Sequence, residues 1–359
     1  MENLQMKKKN FYQILLPYLF KLDPEFVHNN LLTLASITEK ILSVGIFSRN
    51  PCEKNSVELS NLNFKNRVGL AAGLDKNAEY IDMLAWLGFG FIEVGTVTPK
   101  PQPGNKKPRL FRLPYDKALI NSMGFNNDGL EKFVANLKKS KWVKEKKGLL
   151  GINLGMNFDT NLNNAHLDYE TGMDATYKYA DYIVVNVSSP NTKGLRKLQE
   201  NIFLKKLLTS VKKKQKELFK KYSFHRPIFI KLSPDMSIEL LEETLELIKN
   251  FEVEGVIATN TSISKENILE KKYSNHQGGL SGAPLLLKSN QVLSQIKKHL
   301  SPEVVLVGSG GIMSGIDASE KILTGADVIQ LYSGLIFSGP SLVNECIKVI
   351  GDNLITEKI

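Results

Sequence analysis

Residues 182–195 read YIVVNVSSPNTKGL. The run from Tyr182 to Val187 is apolar and largely β-branched, the composition of a buried strand. It carries a single amide, Asn186, and then breaks into Ser188, Ser189, Pro190 and Asn191. Ser, Pro and Asn are ordinary turn residues, so this stretch by itself reads equally as a turn or as the rim of a site. The same pattern recurs along the chain. Short apolar runs lie at 68–72, 91–95, 149–154, 182–187, 228–232, 255–259, 304–308 and 328–332. Helical patterns such as SIELLEETLELIKNF (237–251) and LLLKSNQVLSQIKKHL (285–300) fill most of the gaps. Strands alternating with helices imply parallel βαβ units. Eight of them between 68 and 332 predict an α/β fold, a (β/α)8 TIM barrel. An open doubly wound sheet is the alternative, but no GxGxxG follows the first strand.

Barrel enzymes carry their chemistry at the C-terminal ends of the strands. Those ends read AAGLDKN, GTVTPKPQPGN, INLGMNFDT, NVSSPNT, KLSPD, ATNTS, GSGGI and YSGLI. Structural turns account for a few such segments; all eight converging on one rim predict a small-molecule site. GSGGI (308–312) and YSGLI (332–336) follow the seventh and eighth strands, the usual phosphate position of a barrel. Lys231 is a cation on a strand and needs either a buried carboxylate or an anionic ligand. Lys76 is a second cation just past the first strand. Asn121, Asn153, Asn186, Asn191 and Asn260 cluster at strand ends, and their amides suit a flat ring of alternating C=O and N–H groups, such as a pyrimidine. No His/Glu cluster suggests a metal, and no GxSxG is present.

The chain has 359 residues, 42% hydrophobic and 23% charged, with two cysteines, Cys52 and Cys346. There is material for a large core and no disulfide framework. The net charge of +10 gathers in LKKSKWVKEKK (137–147) and VKKKQKELFKK (211–221). Both read as solvated helix faces; without interleaved aromatics or a nucleic-acid motif, no nucleic-acid partner is expected. The first residues differ from the rest. FYQILLPYLF (11–20) is too short to span a bilayer, and Pro17 interrupts it. Asp23-Pro24-Glu25 then opens a second helix, with Val27, Leu31, Leu34, Thr38 and Ile41 at helical spacing. This small N-terminal helical extension packs on the barrel, faces a membrane surface, or lines a tunnel between the two. The expected division is 1–46 for the extension and 47–359 for the barrel.

Six segments carry a resemblance: AAGLDKN (71–77), NSMGFNN (121–127), NVSSPNTKGLR (186–196), ATNTS (258–262), GGLSGAPL (278–285) and QLYSGLIF (330–337). In this order, the chain resembles the dihydroorotate dehydrogenases from about Phe11 to Val349, and LDPEFVH (22–28) points to their membrane-associated, quinone-dependent class. The resemblance implies oxidation of (S)-dihydroorotate to orotate in pyrimidine biosynthesis, with one FMN per chain and a membrane quinone as co-substrate. It makes Ser189 the base that takes the C5 proton while C6 gives a hydride to flavin N5; Thr192 or a water chain relays the proton. The soluble class uses a cysteine, and none lies near 186–191. Lys76, Asn121, Ser122, Met123, Gly124, Phe125, Asn186, Asn191, Asn260 and Thr261 fall on substrate positions. Ala71, Ala72, Gly73, Leu74, Asp75, Thr96, Asn153, Asn186, Lys231, Thr259, Gly282, Gly311, Tyr332 and Ser333 fall on cofactor positions. His28, Arg112 and Tyr332 match the quinone tunnel. Met156, Ser122 and Ser233 depart from the family's usual lysine, arginine and alanine, and none removes a proposed catalytic group. A peripheral, monomeric enzyme on the cytoplasmic side of a bacterial membrane is expected, rather than one of the mitochondrial inner membrane. Competing readings are another FMN barrel with fumarate or NAD as acceptor, a flavin-free phosphate-binding isomerase or aldolase, and a silent membrane-surface scaffold.

Overall fold

A computed structural model describes residues 11–42, 53 and 55–356. Eight parallel strands close into a barrel. They are β1 (Val68–Leu70), β2 (Phe91–Val97), β3 (Leu149–Leu154), β4 (Tyr182–Asn186), β5 (Ile228–Leu232), β6 (Gly255–Ala258), β7 (Val305–Ser309) and β8 (Val328–Leu331). Each pairs with the next in chain order, and β8 pairs with β1. All eight expected strands form.

Side chains alternate across a strand with period two, so one set faces the barrel axis and the other the helices. Outward residues such as Ile92, Val94, Ile152, Ile183, Val185, Ile228 and Ile230 belong to the large core beneath the helices. Inward residues form layers. In the lowest, Phe91, Tyr182 and Phe229 fill the axis. Gly69, Gly151 and Gly255 make room for them: a Cβ on each would lie 2.2–2.4 Å from a ring atom. The hairpin Val57–Leu59/Leu62–Phe64 closes the floor, with Phe64 edge-on to Phe91 at 5.0 Å between centroids. On four of the strands the next inward step up is polar: Glu93, Asn153, Lys231 and Gln330 are all buried. A sealed apolar floor beneath a polar layer leaves the C-terminal rim as the open end.

A three-stranded antiparallel sheet, Leu110–Leu113, Ala118–Asn121 and Gly279–Gly282, lies outside the barrel. Sequence reading missed it, because its pairing joins the β2–β3 and β6–β7 connections across a long stretch of chain. It delivers Asn121 to the rim.

The two N-terminal helices form as expected, α1 (Phe11–Leu19) and α2 (Pro24–Leu42). Asp23 Oδ1 accepts the Phe26 N–H at 2.8 Å, capping α2. The expected domain boundary at 46/47 lies outside the described residues, as does Cys52. One expectation needs correction. The lysine-rich segment 137–147 is not one helix face: it ends the helix Gly129–Leu137 and supplies only a short helix, Lys141–Lys144. The segment 211–221 does lie on a helix, Asn201–Tyr222, with Val211, Gln215 and Leu218 on its buried side.

Candidate active site

Period-two alternation places Asn186 on β4 beside Lys231 on β5, and Asn153 on β3 beside Gly95 on β2. The amides interlock. Thr96 Oγ1 donates to Asn153 Oδ1 at 2.6 Å, and Asn186 Nδ2 donates to Thr96 Oγ1 at 3.0 Å. Asn153 Nδ2 donates to Glu93 Oε1 at 2.8 Å, and Gln330 Nε2 to Glu93 Oε2 at 2.5 Å. Lys231 Nζ lies 4.0 Å from Glu93 Oε1, beyond hydrogen-bond reach. Burial pulls the Lys231 ammonium below its ordinary value, and Glu93 opposes that. A carboxylate thus stands near Lys231, and its ammonium also lines the cavity.

Above this floor sits the loop after β4. Ser189 is 6% exposed and its Oγ accepts the Asn191 N–H at 3.3 Å. Arg196 fastens the loop from behind, donating to Ser188 O at 3.0 Å, to Thr261 O at 2.9 Å and to Asp235 Oδ2 at 2.9 Å. Asn260 Nδ2 donates to Ser188 Oγ at 2.9 Å. Asn191 Nδ2 donates to Asn121 Oδ1 at 3.0 Å. That bond leaves an amide donor on Asn121 and an amide acceptor on Asn191 at the cavity wall. Lys76 Nζ donates to Gly73 O at 2.8 Å. Burial pulls its pKa down to about 8; Arg109 adds to that, while Glu25 and Asp75 oppose it.

Ser189, Lys76, Lys231, Asn121, Asn186, Asn191 and Asn260 line one cavity of about 440 Å3 that runs from the rim to the N-terminal helices. Its small and polar lining includes Ser309, Gly310, Gly311, Ser281, Ser333 and Gly334. Tyr12, Leu16, Phe20, Val27, Leu31 and Ala35 form an apolar part of the cavity beneath α1 and α2. Tyr332 also lines the cavity, its hydroxyl 3.3 Å from Gly73 O. His28 lines the passage and is held neutral: burial, then the Lys76 charge, lower it to about 4. Arg112 donates to Leu19 O at 3.2 Å and Leu22 O at 2.9 Å, tying the end of α1 and the turn to α2 onto the sheet.

Most expected site residues meet in this cavity: Met123, Gly124, Phe125, Thr259 and Thr261 line it, as do Ala71 through Leu74. Four do not reach its wall. Asn153 stands behind Thr96 and Asn186 and orients them. Asp75 accepts the Glu79 and Tyr80 N–H groups at 2.9 and 2.8 Å and shapes the turn that carries Lys76. Ser122 donates its N–H to Arg109 O at 2.8 Å, and Gly282 ends the outer sheet. Met156, where a lysine was expected, is buried in the core. Sequence reading missed Glu93 and Gln330; a carboxylate inside FIEVG and an amide inside VIQLY were the available signals. It also missed the buried ion pair in which Glu25 meets Arg109 at 2.7 and 3.2 Å, joining α2 to the rim.

The sequence model of the family described as dihydroorotate dehydrogenase matches residues 55–354. A dihydroorotate dehydrogenase (quinone) of Delftia acidovorans is 46% identical over 340 residues, 94% of this chain and 97% of that one. That of Acinetobacter baumannii is 46% identical over 339 residues, 94% and 99% of the two chains. Among solved structures, the Eimeria tenella enzyme in complex with ferulenol superposes with a TM-score of 0.85 at 34% identity, over 95% of this chain and 96% of that one.

Proposed function

The chain belongs to the dihydroorotate dehydrogenase family, and on that premise we propose how its cavity works. The protein oxidises dihydroorotate to orotate in pyrimidine biosynthesis and delivers the electrons to a quinone. It uses a flavin, and FMN is the form its residues suit. The observation that carries the reading is the continuity of the cavity: a polar, cationic rim opens directly into an apolar passage under α1 and α2.

The residues fit a flavin. Lys231 keeps donors for an electron-rich ring edge, and Gln330, held by Glu93, stands on the same cavity wall. The glycine turn at 310–311 offers backbone amides where a phosphate belongs. When bound, the flavin supplies a two-electron acceptor that alternates between substrate and quinone. The chain's own groups do the rest. Lys76 holds the substrate carboxylate, and Asn121, Asn186, Asn191 and Asn260 read the ring's C=O and N–H edges. Ser189 takes the C5 proton. Thr192 Oγ1, on the same loop as Ser189, is buried without a hydrogen-bond partner among the described residues, which suits a relay for that proton. Lys231 offsets the negative charge that develops on reduction. His28, neutral, and Tyr332 stand along the quinone's path. The enzyme acts as a monomer whose extension, residues 1–46, rests on the cytoplasmic face of a bacterial membrane, with 47–359 as the catalytic barrel. No helix among the described residues is long and apolar enough to cross a membrane.

Ser189→Ala tests the assignment of the base. Flavin content should stay unchanged while anaerobic reduction by dihydroorotate slows by about 100-fold or more. Unchanged reduction would remove Ser189 from the mechanism.

A further inference from the structure

The glycine turn after β7, on the cavity wall, rests on a charge that the chemistry above does not use. Lys321, on the helix Gly315–Leu323, is completely buried. β7 makes room for its stem: a Cβ on Gly308 would lie 2.7 Å from Lys321 Cγ and Cδ. The ammonium donates to Ser289 Oγ at 2.8 Å and to Asn290 Oδ1 at 2.6 Å, both neutral groups. Among the described residues it forms no ion pair. The acids on its own helix are engaged elsewhere: Glu320 accepts from Asn290 Nδ2 at 3.0 Å, and Asp317 accepts the Met313 N–H at 2.8 Å. A buried ammonium with neutral partners is costly unless an anion stands close by. Burial lowers it to about 7, with Glu320 and Asp317 opposing.

Ser289 connects this charge to the cavity wall. Its hydroxyl accepts from Lys321, so its own proton goes to Gly310 O at 3.0 Å or Leu286 O at 2.9 Å. The peptide joining Gly310 to Gly311 is trans, and its N–H points opposite to its carbonyl. With the carbonyl directed at Ser289, the Gly311 N–H points away from it, and both glycines line the cavity. No acceptor among the described residues takes that N–H. Glycine is required at 311: φ is +82°, and a Cβ would come within 2.3 Å of Leu286 Cα.

We propose that Lys321 is a positioning residue for the phosphate of the bound flavin nucleotide. Through Ser289 it fixes the Gly310–Gly311 peptide with its N–H toward the phosphate, and it supplies the buried counter-charge behind that peptide. In a low-dielectric interior, the charge acts across two hydrogen bonds. The inference rests on the FMN reading, and it separates FMN from riboflavin, which has the same ring and no phosphate.

The test is flavin release on dilution of the full-length holoenzyme, followed by flavin fluorescence. It compares enzyme carrying FMN with enzyme exchanged into riboflavin. Lys321→Met keeps the stem and removes the charge. It should weaken FMN retention by about 10-fold or more and riboflavin retention by less than about 2-fold. Ser289→Ala keeps the lysine and breaks the connection; it should show the same selectivity at about 3-fold, and it decides the matter alone if Lys321→Met does not fold. Equal weakening of both flavins, or no change in either, overturns the proposal. A wild-type protein that retains neither flavin overturns the cofactor reading and this inference with it.

Discussion

Two lysines at the rim differ in what holds them, and the difference sets their chemistry. Lys231 has Glu93 nearby, whereas Lys76 has a backbone carbonyl as its only hydrogen-bond acceptor among the described residues. Lys76 titrates at about 8, lowered chiefly by burial. It is charged below that pH and loses its proton above it. A group that binds the substrate carboxylate must be charged, so KM for dihydroorotate should climb as pH rises through about 8 in wild type. Lys76→Arg, which stays protonated, should bind less well but with a flat KM profile over the same range. A wild-type KM that is level to pH 9 or so would take Lys76 out of carboxylate binding. The residue types were legible in the sequence: Lys76, Ser189 and the five asparagines all stand out at strand ends. Their order was not. Asn153 is one step behind the wall because Thr96, on the neighbouring strand, covers it. Lys321 gave no signal at all, since a lysine in a helix ordinarily faces water.

At the scale of elements, α2 is both wall and tether. Its inner residues line the passage, and Glu25 fixes it to Arg109, which also donates to Pro103 O at 2.6 Å and Asn105 O at 2.9 Å. Asn105 in turn donates to Asn191 O at 3.0 Å, so α2 and the Ser189 loop share one set of polar contacts. Removing residues 1–54 keeps the floor hairpin and the Asn55 anchor to Ile347 O at 3.2 Å. The truncated protein should retain flavin and be reduced by dihydroorotate, but lose most quinone turnover. Stopped-flow reduction and steady-state quinone assays separate the two. Quinone turnover that survives intact would mean that the passage under α1 and α2 is not the quinone's route.

Across the whole molecule, the barrel was readable because its strands are buried on both faces, which leaves near-continuous apolar runs. The outer antiparallel sheet was not, because its strands are short and its partners distant in sequence. The sequence left three roles open for the N-terminal helices, and the structure bears on them unequally. Val27 is buried, whereas Ile14, Tyr18, Phe26 and Leu34 are more than half exposed, an apolar face unusual for a surface in water. If that face meets lipid, Tyr18→Glu with Leu34→Glu should abolish co-sedimentation with phospholipid vesicles and leave flavin reduction by dihydroorotate within about 2-fold. Vesicle binding that persists would place the membrane contact elsewhere. The central claim is that one cavity joins a dihydroorotate site, a flavin and a quinone passage. Its most direct test is the visible spectrum of the purified full-length protein without oxygen, taken before and after adding dihydroorotate and then quinone. The account predicts a flavin band that dihydroorotate bleaches and quinone restores; a flavin band that dihydroorotate leaves unchanged would contradict it.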